Sequence, residues 1–288
     1  MDPHQWLTFA TTATSLTEIT IPGETMQAPL EEMVDVRGYK LRLTRAGRGQ
    51  PLLILNDFVG PQTWQPFMDA LAQTHEVLLP QHPGFGAQAL PEWLDNVSDL
   101  ANFYLDFMDS LGLKQVKLLG LGCGGWIAAD LATRNPADVD SLILSGPAGL
   151  YLKGVPQIDP FLMSEEEVVR SLFHNAALAE PIVTEVMAPE LEDARLQNYE
   201  VNARLTWQPR LHDPDLRKWL HRISLPTLII NGAHDRLFPE PYGEEWRRLI
   251  PGSRLEVLAD CGHAPQLEAS AAFKGLVDTF HAIERVAS

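Results

Sequence analysis

Three short stretches of this 288-residue chain hold side chains that can move protons or attack carbon. The first is Leu118-Leu119-Gly120-Leu121-Gly122-Cys123-Gly124-Gly125-Trp126. The second is Pro226 to Pro239, with Asn231-Gly232-Ala233-His234-Asp235 at its centre. The third is Cys261-Gly262-His263-Ala264-Pro265-Gln266-Leu267-Glu268. An imidazole exchanges a proton near neutral pH, so a histidine in such a stretch, His263 above all, is a candidate acid or base. The nine histidines are otherwise scattered, and none forms a pair at metal-ligand spacing with a third partner. No metal site is therefore expected. The glycines from 120 to 125 lack the Lys-Ser/Thr that completes a phosphate-binding loop, so neither nucleotide nor other cofactor is expected. Cys123 and Cys261 form no C-x-x-C pair and no disulfide framework, which points to a reducing compartment.

The elements that must position these stretches follow from hydrophobic spacing. Residues 1–32 carry Thr and Pro without a clear period and read as an extension. Met33 to Val36 and Leu41 to Leu43 flank Arg37-Gly38 and predict a hairpin. Pro51 to Leu55 is a short apolar run that fits a buried strand, and Val77 to Leu79, Val116 to Leu119, Leu142 to Leu144, Thr227 to Ile230 and Leu255 to Leu258 read as further strands. Helical spacing lies between them, at 61–73, 91–113, 126–134, 240–250 and 271–287. Strands alternating with helices imply a mostly parallel sheet covered on both faces. Residues 150–222 break the rhythm with helix-like segments at 164–173, 191–205 and 214–220, and read as a helical lid. The core is then 33–149 together with 223–288.

Several of these patterns, in this order, resemble the α/β-hydrolase fold. The stretch at 118–126, between a strand and a helix, resembles the family's nucleophile elbow, G-x-S-x-G. The segment around Asp235 resembles the one that delivers the family's acid, and the segment around His263 resembles the one that carries its histidine. His82-Pro83-Gly84-Phe85-Gly86 is similar to the loop after the family's fourth strand. The resemblance implies an α/β fold with a mostly parallel central sheet, helices on both faces and a helical lid. It also implies Asp235 and His263 as acid and base, with the Cys123 amide as an oxyanion-hole donor.

Three departures stand out. Gly122 occupies the nucleophile position. Glycine tolerates the positive φ of the turn but has nothing to attack with, so an acyl-enzyme at this position is excluded. Where the family shows His-Gly after the third strand, this chain has Asn56-Asp57-Phe58-Val59-Gly60. An ionised Asp57 in an oxyanion hole would oppose developing negative charge by roughly 4 kcal/mol at about 4 Å and an effective dielectric near 20; it could instead be protonated or turned away. Leu121 makes that corner more apolar than is usual in the family.

These residues predict an enzyme that works without a serine and without a covalent intermediate, with His263, oriented by Asp235, as general base on water or on a substrate proton. Hydrolysis and lyase or isomerase chemistry both fit. Asn56, Asp57, Phe58 and the Cys123 amide would contact a small, fairly apolar substrate. Trp64, Phe161, Phe173 and Trp207 are candidates to line its pocket, and His234 should be exposed on its loop. Two other readings use the same residues. One is a catalytically inactive member that binds a small molecule or a protein. The other is a hydrolase using the Cys123 thiol.

The formal net charge of −16 repels phosphate backbones and anionic lipid heads, which excludes nucleic acid and membrane surfaces as favoured partners. No apolar run reaches spanning length. With no signal-peptide pattern at its start, the chain is expected in the cytoplasm.

Overall fold

The computed structural model describes residues 28–134 and 136–287, so most of the extension expected at 1–32 lies outside the described residues. The chain opens with the expected hairpin, β1 (Leu30–Val36) and β2 (Tyr39–Gly47), with Arg37 and Gly38 both at positive φ in the turn. Then strands and helices alternate: β3 (Pro51–Leu55), α1 (Pro66–Ala72), β4 (Glu76–Pro80), α2 (Val97–Ser110), β5 (Val116–Leu121), α3 (Cys123–Thr133) and β6 (Val139–Ser145). The lid follows, with α4 (Glu165–Ser171), α5 (Ala176–Val186) and α6 (Glu192–Thr206). The core resumes with β7 (Thr227–Gly232), α7 (Glu240–Leu249), β8 (Arg254–Leu258), α8 (Pro265–Glu268) and α9 (Ser270–Ala287).

The eight strands form one sheet in the order β1-β2-β4-β3-β5-β6-β7-β8. The β1–β2 and β2–β4 pairs are antiparallel and every later pair is parallel. Alternation along a central strand shows why the sheet needs cover on both sides. In β3, Leu53 and Leu55 join a core with α2, α3 and the Tyr242 and Trp246 rings of α7. Their neighbours Leu52 and Ile54 point to the opposite face, against Phe67 and Leu71 of α1 and Phe273 and Val277 of α9.

Three helical expectations change. The long helix expected at 91–113 is only α2, because the Asn96 side chain accepts from the Asp99 N–H and starts the helix there. The helix expected at 214–220 is two separate 3₁₀ turns, Leu216–Lys218 and Leu220–Arg222. Helix α5 was not expected at all and carries Pro181 inside it.

Candidate active site

Strand β5 runs into α3 through a turn whose apex is Gly122, at φ 52° and ψ −116°. The backbone crowds around this turn. A Cβ on Gly124 would lie 2.0 Å from the Leu55 carbonyl oxygen, and one on Gly120 would lie 2.5 Å from the Gly124 carbonyl oxygen. Strand β3 and the elbow can approach this closely only because these positions lack side chains.

The apex is not open space. A Cβ on Gly122 would meet the Asp57 carboxylate at 2.2–2.3 Å. Asp57 leaves the end of β3 and lays its carboxyl group where a side chain on the elbow would stand. Its Oδ1 accepts hydrogen bonds from the Cys123 N–H at 2.9 Å and the Phe58 N–H at 2.8 Å. Its Oδ2 lies 3.1 Å from His263 Nε2. One oxygen thus sits on the two amides at the oxyanion position, and the other faces the imidazole.

His263 is held from its other side by Asp235, whose Oδ2 is 2.8 Å from Nδ1. Asp235 is fixed in turn, because its Oδ1 accepts the N–H groups of Leu237 and Phe238 at 2.8 and 2.9 Å. Burial opposes a charge on this imidazole, but Asp235 and Asp57 outweigh it and raise the His263 pKa to about 10. The ring is therefore an imidazolium at neutral pH, and both its nitrogens donate to carboxylates.

A second histidine braces the loop that carries Asp57. His82 is buried, and burial lowers its pKa to about 4, so it is neutral. Its Nε2 is 2.9 Å from the Asn56 carbonyl oxygen, which can only accept, so Nε2 holds the proton and Nδ1 accepts from the Tyr104 hydroxyl at 2.6 Å. The Asn56 side chain donates to the Pro61 carbonyl at 3.0 Å and works as a loop brace. Leu121, as expected, adds an apolar wall beside the elbow.

Two cavities adjoin this centre. A small one, of about 20 Å³, is lined by Asp57, Gly122, His263, Gln65, Ser145 and Gln266, among others. The buried Ser145 Oγ and Gln266 Oε1 have no hydrogen-bond partner among the described residues. A larger cavity, of about 320 Å³, lies under the lid against Phe58, Phe161, Met163, Val168 and Leu191, with Arg195 and Glu165 paired at 2.9 Å on its wall. Val59 and Pro61 line both cavities and form the partition between them.

Of the pocket aromatics expected from sequence, Phe58 and Phe161 line the larger cavity. Trp64, Phe173 and Trp207 line neither of these two. Trp64 donates to Asp69 and packs against the core under α1, and Phe173 is buried in the main core. Trp207 is half exposed, with the Arg210 guanidinium 4.0 Å above its ring. The Cys123 thiol is buried, and burial together with the neighbouring Asp57 pushes its pKa well above that of an ordinary thiol. A thiolate there is disfavoured. Cys261 is raised to about 12, first by burial and then by Glu268. Glu268 was missed by sequence reasoning. Its carboxylate accepts the N–H groups of His174, Asn175 and Gly262 at 3.0, 2.5 and 2.6 Å and so clamps the lid to the His263 loop.

Residues 51–270 match the family model for the alpha/beta hydrolase fold. The chain belongs to this family. A 2-hydroxy-6-oxo-2,4-heptadienoate hydrolase of Pseudomonas putida is 27% identical over 278 residues, 90% of this chain and 99% of that protein. A 2-hydroxymuconate semialdehyde hydrolase of a Pseudomonas species is 28% identical, over 84% of this chain and 90% of that protein. Among solved structures, a bacterial membrane phospholipase A superposes with a TM-score of 0.74 at 23% identity, covering 89% of this chain and 87% of the other. A serine hydrolase of carbazole degradation does so with a TM-score of 0.72 at 21% identity, covering 89% and 100%. Likeness at that identity shows the shared fold; the hydrolytic names belong to the relatives.

Proposed function

We propose that this α/β-hydrolase-fold protein is a hydrolase-type enzyme for a small, largely apolar molecule, with the carboxylate of Asp57 doing the work of the absent serine. The observation that carries this reading is the carboxylate's position at the apex of the elbow, with one oxygen on the amides of Cys123 and Phe58 and the other against His263.

The arrangement suits an electrophilic carbon with a leaving group. Asp57 Oδ2 forms a bond to that carbon, the leaving group departs with its electron pair, and an ester of Asp57 results. Esterification removes one of the two negative charges that keep His263 protonated, so the imidazole releases its proton to solvent and becomes a base. It then takes a proton from water as the water oxygen attacks Cγ. The charge that develops on Oδ1 falls on the two amides already bound there. Collapse breaks the Cγ–O bond to the substrate carbon, and the departing alcohol takes the proton from His263. The sum is substrate plus water giving alcohol, leaving-group anion and a proton. In this cycle His263 is the base of the second half only, and the covalent ester replaces the sequence expectation of a resting base acting without a covalent intermediate. The small cavity has room for about one water, and Ser145 and Gln266 offer it partners.

A single turnover in ¹⁸O-labelled water tests the reading. The expected result is ¹⁸O in the peptide that contains Asp57, with unlabelled oxygen in the first-formed alcohol and loss of turnover in Asp57→Asn. Labelled alcohol with an unlabelled Asp57 peptide would refute the covalent route.

A second reading rests on the same geometry. Of these two cavities the imidazole lines the small one, while the larger lies beyond Val59 and Pro61. That separation favours a catalytically silent protein that holds an apolar ligand under the lid. For it, the expected results are no turnover of any carbon electrophile and ligand affinity unchanged in His263→Ala.

A further inference from the structure

Away from the elbow, three loops bring together ligating side chains that are far apart in the chain. His174 lies in the lid between α4 and α5, His234 immediately precedes Asp235, and Asp260 precedes the Cys261-Gly262-His263 turn. All three side chains are exposed, and one ligating atom from each lies within 4.8 Å of the others. The two imidazoles stack face to face, with centroids 3.7 Å apart and planes inclined by 10°.

The backbones beneath these groups are already fixed to one another. The His234 N–H donates to the Cys261 carbonyl at 2.9 Å, and the Ala264 N–H to the Leu172 carbonyl at 3.1 Å. Glu268 binds the N–H groups of His174 and Gly262 together. Convergence of the three side chains is therefore built by the fold, and little backbone ordering remains to oppose binding.

We propose that His174, His234 and Asp260 form a surface site for a zinc-type divalent cation, which ties the lid to the two loops bearing Asp235 and His263. Two imidazole nitrogens and one carboxylate oxygen are a borderline donor set, suited to Zn²⁺ or Co²⁺ and poor for Mg²⁺, which takes oxygen ligands. Ligand distances near 2.0–2.2 Å place tetrahedral donors about 3.4 Å apart. To reach that spacing the side chains must rotate, and the imidazoles must leave their parallel stack to aim at one ion. A fourth position faces solvent and is filled by water. The cation is structural here, and the proposal does not depend on the reaction above.

Calorimetric titration of the full, untagged chain with Zn²⁺ tests it, alongside H174A, H234A and D260N. One ion per chain is expected, with affinity reduced roughly tenfold or more in each histidine variant. Co²⁺ should give a visible tetrahedral d–d absorption that the histidine variants lose. Zn²⁺ should also slow amide exchange across residues 172–178 in the parent chain and leave it unchanged in H174A. Because the three side chains are exposed, the variants should keep the parent's circular dichroism and melting temperature in the absence of metal. Affinity unaffected by all three substitutions would show adventitious binding elsewhere and overturn the proposal. So would the absence of any bound ion, or exchange at 172–178 that ignores Zn²⁺.

Discussion

Gly122 and Asp57 are a matched pair. The space above the elbow is filled by the carboxylate, so G122S alone should push a Cβ into Asp57 at 2.2 Å and destabilise the fold without producing a reactive hydroxyl. Removing the carboxylate as well, in the double variant D57G/G122S, clears the apex and restores a hydroxyl beside His263. Fluorophosphonate labelling of the elbow peptide is expected in the double variant and absent from the parent and from G122S. The sequence showed a glycine at the nucleophile position and an acid in the oxyanion loop, and read them as two separate losses. Their relation was hidden because it depends on a side-chain direction, and Asp57 lies 65 positions from the elbow apex. The carboxylate expected to oppose developing negative charge instead accepts from the Cys123 and Phe58 amides itself. A direct check is ¹⁵N NMR of the His263 ring. It should be doubly protonated at pH 7.5 and titrate near 10, and D57N should move that titration to lower pH.

At the level of elements, local hydrophobic spacing located all eight strands, while helix limits depended on capping groups. Asn96 cut the helix expected at 91–113 to α2, and N96A should cost about 1 kcal/mol in denaturant unfolding. The unexpected α5 contains Pro181, a residue that argues against a helix when only the sequence is read. The strongest inter-element tie among these loops is also one that no local pattern announces. Glu268, on α8, gathers three backbone donors from the lid and the His263 turn. Hydrogen bonds to a charged group contribute about 1.5–3 kcal/mol each, net of those exchanged with water. E268A should therefore lower stability by about 2 kcal/mol or more, with faster amide exchange at 172–175 than elsewhere in the lid.

Over the whole molecule, the buried imidazolium links stability to pH. The His263 pKa is about 10 in the folded chain, against about 6.5 for an unperturbed histidine. Folding takes up a proton, so this contribution is complete below about pH 6.5 and is lost as pH rises through about 10. Melting temperature measured from pH 6.5 to 10 should fall for the parent, and fall over a lower range in D57N. The general architecture was legible early, since strand–helix alternation and four ordered motifs point to one sheet covered on two faces. What spacing could not supply was the pairing of distant loops, either around the Asp57 carboxylate or at His174, His234 and Asp260.

Phe58 joins the larger hollow to the carboxylate at the elbow. Its N–H holds Asp57 Oδ1, while its ring forms part of the wall of the 320 Å³ cavity. A guest that shifts the Phe58 backbone as it fills that cavity would shift the amide that anchors the carboxylate as well.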